Sequence, residues 1–385
     1  MRRIRLRTLG MVALAASLAA SVAACQSSGG GGGGGEDGDC GGKIAIFGAF
    51  SGPNSGLVIP SLNGAKLAVK QHNEANPDCP IEMVEFDTQG APDQASPVAS
   101  QIVGDPTFLG VIGGHFSGET DATIPVFQGA GMAMVAPSAT RVDLTGRPGV
   151  TVFHRVVGND NTQGAAVAAY LKAQNASKVF IIDDSSAYGA GIADELASRL
   201  EGIPVERDKV QEQQTQFDAT ISKLQTFQPS HIFYGGYTRE AAPLIRQIRQ
   251  NNINAQFIGP DGLYDPQFAT GASGAAEGAI ITCPCLPASE AGGTFSQDFE
   301  AEYGVAPGSY GAEGFDAAQV FIDVIAGGAS TREEVLEGVK NYSKQGVSKY
   351  IEFDDGGDVD PSRVVIWSYQ VKGDTFEPLQ ELKLN

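Results

Sequence analysis

From Lys43 onward the chain alternates between short, β-branched apolar runs and longer stretches in which apolar residues recur at helical spacing. Short apolar runs bounded by turn residues are typical of buried strands, and the longer stretches predict amphipathic helices. Repeated strand–helix units predict an α/β fold with parallel sheets that helices cover. The predicted strands are Ile44–Phe50, Ile81–Asp87, Phe108–Gly113, Met132–Pro137, Val179–Asp183, His231–Tyr234, Gln256–Ile258, Ala279–Thr282, Tyr350–Phe353 and Val364–Val371.

The length of the chain predicts two domains. Its 385 residues exceed the size that one hydrophobic core usually supports. One block of strand–helix units covers residues 43–157 and a second covers 158–285. The remaining tail is too short for a third domain, so we expect 286–349 to complete the first lobe and 350–385 the second. The chain then crosses between the lobes more than once, which predicts a hinge of several strands.

The N-terminus has the pattern of a secretory signal. Arginines at positions 2, 3, 5 and 7 precede the apolar stretch Leu9–Ala24. This stretch runs into Cys25 through Val-Ala-Ala, which resembles the bacterial lipobox, whose cysteine is lipidated and becomes the first mature residue. The alternative is a plain signal peptide followed by an incidental cysteine. Seven glycines, Gly29–Gly35, predict a flexible tether within 25–42. We therefore expect residues 1–24 to be removed and Cys25 to anchor the protein on the outer face of the cytoplasmic membrane.

The other cysteines would lie in an oxidising compartment, where disulfides persist. Cys40 and Cys79 each precede a predicted strand, and neighbouring parallel strands would place the two sulfurs side by side. We therefore predict a Cys40–Cys79 disulfide. Cys283 and Cys285 could bridge each other or remain thiols. The four histidines show no ligand spacing, so no metal site is expected.

Charge and glycine patterns exclude several classes of function. The formal net charge of −19 disfavours nucleic acid as a partner, because binding phosphates needs a basic surface. No dinucleotide or Walker glycine pattern occurs, so no cofactor is expected. Ser117, in Gly113-Gly114-His115-Phe116-Ser117-Gly118, lacks the glycine spacing of a nucleophile elbow. A triad of Ser117, His154 and an aspartate stays open as an alternative, but we expect a protein that is not an enzyme.

Polar side chains follow the predicted strands of both blocks. Ser117 and Thr140 come after two neighbouring strands of the first block, and open α/β sheets bind ligands beyond such carboxyl ends. Their hydroxyls could donate to a carboxylate, or could simply cap helices. Tyr237 and Asp261 follow two strands of the second block. Across a cleft from the hydroxyls, they would hold an ammonium group, so together the four side chains predict a holder for a zwitterion.

Four segments carry a resemblance to a known family. Gly48–Pro53, Ala136–Thr140, Tyr234–Tyr237 and Gly259–Gly262 look like the leucine/isoleucine/valine-binding proteins of ABC importers, in matching order. The likeness covers essentially all of the chain after the glycine tether. It implies the type I periplasmic binding protein fold, with two Rossmann-like lobes joined by three hinge crossovers. It also implies a monomer that closes around a small amino-acid-like ligand and delivers it to an ABC permease in the membrane.

The resemblance implies a role for each ligand-site residue. Ser117 and Thr140 would hold the ligand carboxylate, and the Ser138 carbonyl would accept a hydrogen bond from the ammonium. Tyr237 and Asp261 would complete the ammonium site. The other positions that the resemblance places at the ligand are Ala139, Tyr188, Leu57, His115, Phe116 and Tyr310.

The sequence departs from the family at several of these positions. Asp261 replaces a longer glutamate, His115 stands where an apolar residue is common, and Glu119 and Glu313 bring acid nearby. The expected ligand is therefore a branched-chain amino acid or a related solute. The alternative is a ligand-sensing lipoprotein for amides, small organic acids or other amino-acid-like solutes.

Overall fold

The computed structural model describes residues 40–383, so the predicted signal peptide, Cys25 and nearly all of the tether lie outside the described residues. Within 40–383 no helix combines the length and the apolar character that crossing a membrane requires. The strands are β1 (Gly42–Gly48), β2 (Ile81–Asp87), β3 (Phe108–Ile112), β4 (Ala133–Ala136), β5 (Phe153–Arg155), β6 (Val179–Asp183), β7 (Val205–Lys209), β8 (His231–Gly235), β9 (Gln256–Gly259), β10 (Ile280–Cys283), β11 (Ser343–Gln345), β12 (Tyr350–Glu352), β13 (Ile366–Lys372) and β14 (Thr375–Leu382). The helices are α1 (Ser55–Ala75), α2 (Pro92–Gly104), α3 (Ser117–Gly129), α4 (Asp160–Ala173), α5 (Ala187–Ala197), α6 (Asp218–Phe227), α7 (Thr238–Gln250), α8 (Pro266–Gly271), α9 (Phe295–Tyr303), α10 (Gly311–Ala326) and α11 (Arg332–Lys340).

The first sheet is parallel throughout, in the order β2-β1-β3-β4-β5. Both of its faces are covered, as parallel sheets require. Ile44 and Ile46 of β1 pack into a core shared with α1 and α10. The alternate residues Ala45 and Phe47 pack into a core shared with α2 and α3. This alternation follows from the two-residue period of a strand and explains why β1 is apolar along nearly its whole length.

The second sheet has the order β14-β13-β10-β9-β8-β6-β7. Its five strands from β10 to β7 are parallel, and β13 and β14 join antiparallel at one edge. Phe180 and Ile182 of β6 face one core, and Val179 and Ile181 face the other. Two helix-covered, largely parallel sheets confirm the predicted α/β class and its two-lobed architecture.

The chain passes between the two sheets three times within the described residues: from β5 to α4, from β10 to α9, and from β12 to β13. A buried ion pair holds the first two passages. Lys349 Nζ lies 3.3 Å from Glu313 Oε1 and donates to the Val156 carbonyl at 3.0 Å. The same Glu313 oxygen accepts from the Leu286 backbone N–H at 3.1 Å. The ion pair therefore fixes both crossover segments to the first lobe.

One predicted lobe boundary is corrected. We expected residues 350–385 to belong to the second lobe, but β12 pairs with β11, and Ile351 and Phe353 pack into the core of the first sheet. Asp358 forms an ion pair with Arg155 of β5. The chain therefore joins the second sheet only at β13, because the apolar side chains of β12 find their partners on α10 and α11 of the first lobe.

The predicted Cys40–Cys79 disulfide is wrong. The premise holds, because Gly42 of β1 and Ile81 of β2 are paired in register and the cysteines precede them. Both cysteines are nevertheless free thiols within the described residues. Hydrogen bonding to the Cys40 thiol raises the pKa of Cys79 to about 11. The disulfide instead joins Cys283 and Cys285, both fully buried beside the second crossover.

Candidate functional site

The carboxyl ends of strands from both sheets converge on a small cavity between the lobes. The loops after β3 and β4 supply one wall, and the loops after β8 and β9 supply the other. The cavity is lined by Leu57, His115, Phe116, Ser117, Ser138, Thr140, Tyr188, Tyr237, Asp261 and Tyr310. The structure thus brings together every predicted ligand residue except Ala139.

Hydroxyl groups form the wall on the first lobe. Ser117 is the first residue of α3, and its Oγ accepts the Arg141 backbone N–H at 3.2 Å, which leaves the hydroxyl proton available to donate. Thr140 is 1% exposed, and its Oγ1 has no hydrogen-bond partner among residues 40–383. A buried hydroxyl without a partner is costly, so this wall is suited to an acceptor such as a carboxylate.

Glu119 shapes this wall from behind and does not line the cavity. Its carboxylate accepts the backbone N–H groups of His115 and Phe116 at 2.7 and 3.0 Å and the Thr88 hydroxyl at 2.5 Å. Burial raises the pKa of Glu119 to about 7, and these three hydrogen bonds oppose that rise. The Glu119 side chain therefore fixes the loop between β3 and α3. Of the two acids that the sequence placed near the pocket, Glu119 has this structural role.

Asp261 dominates the opposite wall. Its two carboxylate oxygens accept the hydroxyls of Tyr188 and Tyr310, each at 2.7 Å. Tyr188 belongs to the second lobe and Tyr310 to the first, so the acid is tied to both lobes. Burial raises the pKa of Asp261, and the two tyrosine hydroxyls act against it. Tyr310 has a φ of 58°, in the left-handed region that a bulky residue rarely adopts, and such backbone strain is common at functional sites.

A second buried acid, Asp160, was missed by the sequence reasoning. It begins α4 in the first crossover, and neither carboxylate oxygen has a hydrogen-bond partner among the described residues. Burial raises the pKa of Asp160 to about 8, and the nearby charge of Asp261 adds to the rise. Asp160 follows the short strand β5, so the strand-end rule would have indicated it had β5 been recognised. Asp160 does not line the cavity: its backbone N–H donates to the Thr140 carbonyl at 2.8 Å, so it lies next to the hydroxyl wall and senses Asp261 only through charge.

Aromatic rings and a neutral histidine form the rest of the cavity. His115 Nδ1 faces the Phe47 carbonyl at 2.8 Å and therefore carries the proton, while Nε2 lies 3.2 Å from the Ser61 hydroxyl. Burial lowers the pKa of His115 to about 4, so the ring is uncharged at neutral pH. Phe116 packs edge-on against Tyr237 across the cleft, with ring centroids 5.1 Å apart. This part of the cavity is suited to an uncharged side chain.

The side chains of two predicted ligand residues, Ser138 and Ala139, do not face the ligand as donors or acceptors. The Ser138 hydroxyl donates to the His115 carbonyl at 3.0 Å, so this side chain serves the loop structure. Ala139 is fully buried in the core of the first sheet, and its carbonyl accepts from Arg155 at 3.1 Å. Ala139 lies behind the cavity and does not line it.

Comparisons with known proteins agree with this architecture. The leucine-specific-binding protein of Salmonella typhimurium is 34% identical over 248 residues, covering 63% of this chain and 67% of that protein. A binding protein of Pseudomonas aeruginosa for leucine, isoleucine, valine, threonine and alanine is 32% identical over 248 residues, covering 63% of this chain and 66% of that protein. The crystal structure of a leucine-binding protein from Thermotoga maritima matches with a TM-score of 0.82 and 25% identity, over 89% of this chain and 99% of that one.

The family model described as periplasmic binding protein matches residues 42–370, most of the chain. All three crossovers and both sheets except the end of β13 and all of β14 lie within that range. The predicted resemblance is therefore confirmed: the chain belongs to the periplasmic binding protein family, whose members are extracytoplasmic ligand carriers and not enzymes.

Proposed function

We propose that the protein binds an α-amino acid with an uncharged side chain in the cleft between its lobes and delivers it to an ABC permease. The observation that carries this proposal is the polarity of the cavity. Hydroxyl donors of Ser117 and Thr140 stand on one wall, and the carboxylate of Asp261 stands on the other. A zwitterion satisfies both walls at once, because its carboxylate accepts and its ammonium donates.

The cavity lining also supports an uncharged ligand side chain. Among the residues that line the cavity, none is lysine or arginine, and His115 is held neutral. An acidic side chain would therefore find no counter-charge. Leu57, Phe116 and Tyr310 offer apolar surface of the kind that the relatives named for leucine and other aliphatic amino acids would use. Removal of one methylene from such a contact is expected to change binding by about 1–3 kcal/mol.

Ligand binding is proposed to close the lobes. Asp261 is tied to both lobes through its two tyrosines, and Phe116 meets Tyr237 across the cleft. A ligand that contacts both walls binds the closed arrangement more tightly than the open one, and that difference shifts the equilibrium. The closed surface is then what the permease would recognise.

A thermal-shift screen of the mature protein against the common amino acids, short amides and small organic acids tests this proposal. We expect neutral aliphatic amino acids to raise the unfolding midpoint, and the amides and carboxylic acids that lack an α-ammonium to leave it unchanged. Stabilisation by the acids or amides alone would overturn the zwitterion model and favour the sensing of such solutes instead. Calorimetric titration of the best ligand then gives its affinity.

We also propose that the protein is anchored to the outer face of the cytoplasmic membrane through a lipid on Cys25. The support is the lipobox-like Val22–Cys25 segment followed by the glycine tether. Cys25→Ala is expected to move the protein from the membrane fraction to the soluble fraction, whereas Cys40→Ala should leave it at the membrane. Unchanged membrane fractionation of Cys25→Ala would contradict the anchor.

A further inference from the structure

Two residues from opposite lobes meet beside the ligand cavity. Gly56 lies in the first turn of α1, next to the cavity residue Leu57. Asp265 is the residue before α8 in the second lobe and shares a loop with the cavity residue Asp261. A Cβ atom added to Gly56 would lie 2.4 Å from Asp265 Oδ1 and 3.0 Å from Oδ2. The lobes therefore approach so closely here that only a glycine fits at position 56.

The backbone at Gly56 gives no other reason for a glycine. Its φ is not positive, so an L-residue could adopt the same conformation. Glycine is also a poor helix former. The carboxylate of Asp265 is the part of the structure that an alanine at this position would strike. The identity of residue 56 is thus explained by the opposing lobe and not by its own helix.

Asp265 is placed at an unusual position for a carboxylate. It is 1% exposed, its Oδ1 accepts the Gln267 backbone N–H at 2.8 Å, and its Oδ2 has no partner in the described part of the chain. Such burial is unfavourable for a charge unless a positive potential offsets it. The first turn of α1 supplies that potential, because the N-terminus of a helix carries partial positive charge.

Helix α1 also lacks a carboxylate of its own at this end. Its first turn contains no acidic residue, and the N-cap residue Asn54 makes no side-chain capping bond. The Oδ1 of Asn54 is buried and without a partner among residues 40–383. The second lobe therefore provides the negative charge that α1 would otherwise obtain from its own sequence.

We propose that Gly56 and Asp265 are positioning residues that meet only when the cleft is closed, and that their contact holds Leu57 and Asp261 at the ligand. The inference rests on the proposed function, since it requires that a ligand drives closure. It assigns to the loop after β9 a second task beyond supplying the acid of the cavity. In the open form Asp265 would face water, and α1 would have its first turn exposed.

Gly56→Ala tests the contact, with Gly129→Ala as the matched control. Both glycines are helical, but a Cβ at Gly129 meets no atom within 4 Å. We expect Gly56→Ala to bind L-leucine, L-valine or L-alanine roughly tenfold or more weakly than the wild type, because the added methyl resists closure. Gly129→Ala should bind as the wild type does. Small-angle scattering should show that the ligand contracts the wild type and Gly129→Ala but not Gly56→Ala.

Removing the Asp265 carboxylate tests whether Gly56→Ala acts through a steric clash with Asp265 or through an unrelated effect of the alanine on α1. In a background of Asp265→Ala, adding Gly56→Ala should cause little further loss of affinity, because the atoms that the methyl strikes are gone. If Gly56→Ala does not fold, the isosteric variant Asp265→Asn is used instead, and it should weaken binding without changing the unfolding midpoint of the ligand-free protein.

Equal affinity and equal contraction of Gly56→Ala and the wild type would overturn the contact and leave the proposed function intact. A wild type that no amino acid with an uncharged side chain stabilises in the thermal-shift screen would overturn the proposed function, and the closing role of the contact with it.

Discussion

Two buried acids lie near the cavity and influence each other through charge, and their environments differ. Asp261 accepts two tyrosine hydroxyls, whereas Asp160 has no hydrogen-bond partner among residues 40–383. Burial and the charge of Asp261 raise the pKa of Asp160 to about 8. In the empty cavity Asp160 is therefore protonated at neutral pH. An arriving ammonium would favour its ionised form, so binding releases a proton from this residue.

Ligand affinity is therefore expected to rise with pH between about 6 and 8. The sign follows from the raised pKa: below about 8 the empty protein must give up a proton to bind, and above it no proton remains to be released. Calorimetry in two buffers of different ionisation enthalpy counts the protons released. Asp160→Asn should bind more weakly and should lose this pH dependence. A pH dependence that persists unchanged in Asp160→Asn would show that another group is responsible.

The site was predictable where side chains follow strands with strong apolar patterns. Ser117 and Thr140 follow β3 and β4, whose buried runs are evident in the sequence. Asp160 was missed because β5 has only three residues and includes the buried Arg155, whose charge is offset by Asp358 far along the chain. The hydrogen bond from Tyr310 to Asp261 was also beyond the sequence, since it joins two lobes.

Strands with a strong apolar pattern could be located almost to the residue. The bounds of β2 and β6 are the predicted ones, and β1, β3, β4 and β8–β10 differ by a few residues at their ends. Two edge strands, β7 and β14, could not be found in this way. β7 has the sequence Val-Glu-Arg-Asp-Lys and lies at the border of its sheet, while β14 is mostly exposed and is held by pairing with β13. Because neither segment has a buried face, its apolar residues do not recur with the two-residue period that identifies a strand in a sequence.

Assignment of elements to lobes was limited for a different reason. The apolar residues of β12 would suit either core, because alternation specifies a face and not a sheet. The structure places Ile351 and Phe353 against the first lobe, since the ion pair between Asp358 and Arg155 holds the following turn there. The third crossover thus begins later than the sequence indicated. Long-range contacts of this kind decide domain boundaries where local patterns cannot.

At the scale of the whole molecule, one helix joins the hinge to the ligand site. Tyr310, which donates to Asp261, stands immediately before α10, and Glu313 lies in the first turn of that helix. Glu313 binds Lys349 and the Leu286 backbone, and Lys349 binds the Val156 carbonyl. The crossovers are therefore anchored within one helical turn of a residue that contacts the cavity. A movement of the lobes about these crossovers would also move Tyr310 relative to Asp261.

The buried pair of Lys349 and Glu313 is expected to be essential for the stability of this hinge. Lys349→Met removes one partner and leaves the Glu313 carboxylate buried without a counter-charge, which should lower the free energy of unfolding by about 3–5 kcal/mol. Lys340→Met is the control, because Lys340 is exposed at the end of α11 and forms no ion pair within residues 40–383. Urea denaturation measures both variants.

The double variant distinguishes an unpaired charge from lost packing. Glu313→Gln combined with Lys349→Met removes the charge of Glu313 but keeps an amide oxygen for the Leu286 N–H, so it should recover part of the stability that Lys349→Met loses. If the double variant is less stable than Lys349→Met alone, the carboxylate has a favourable partner besides Lys349. If Lys349→Met is as stable as Lys340→Met, the ion pair does not hold the crossovers, and their geometry must be set by the two cores that flank them.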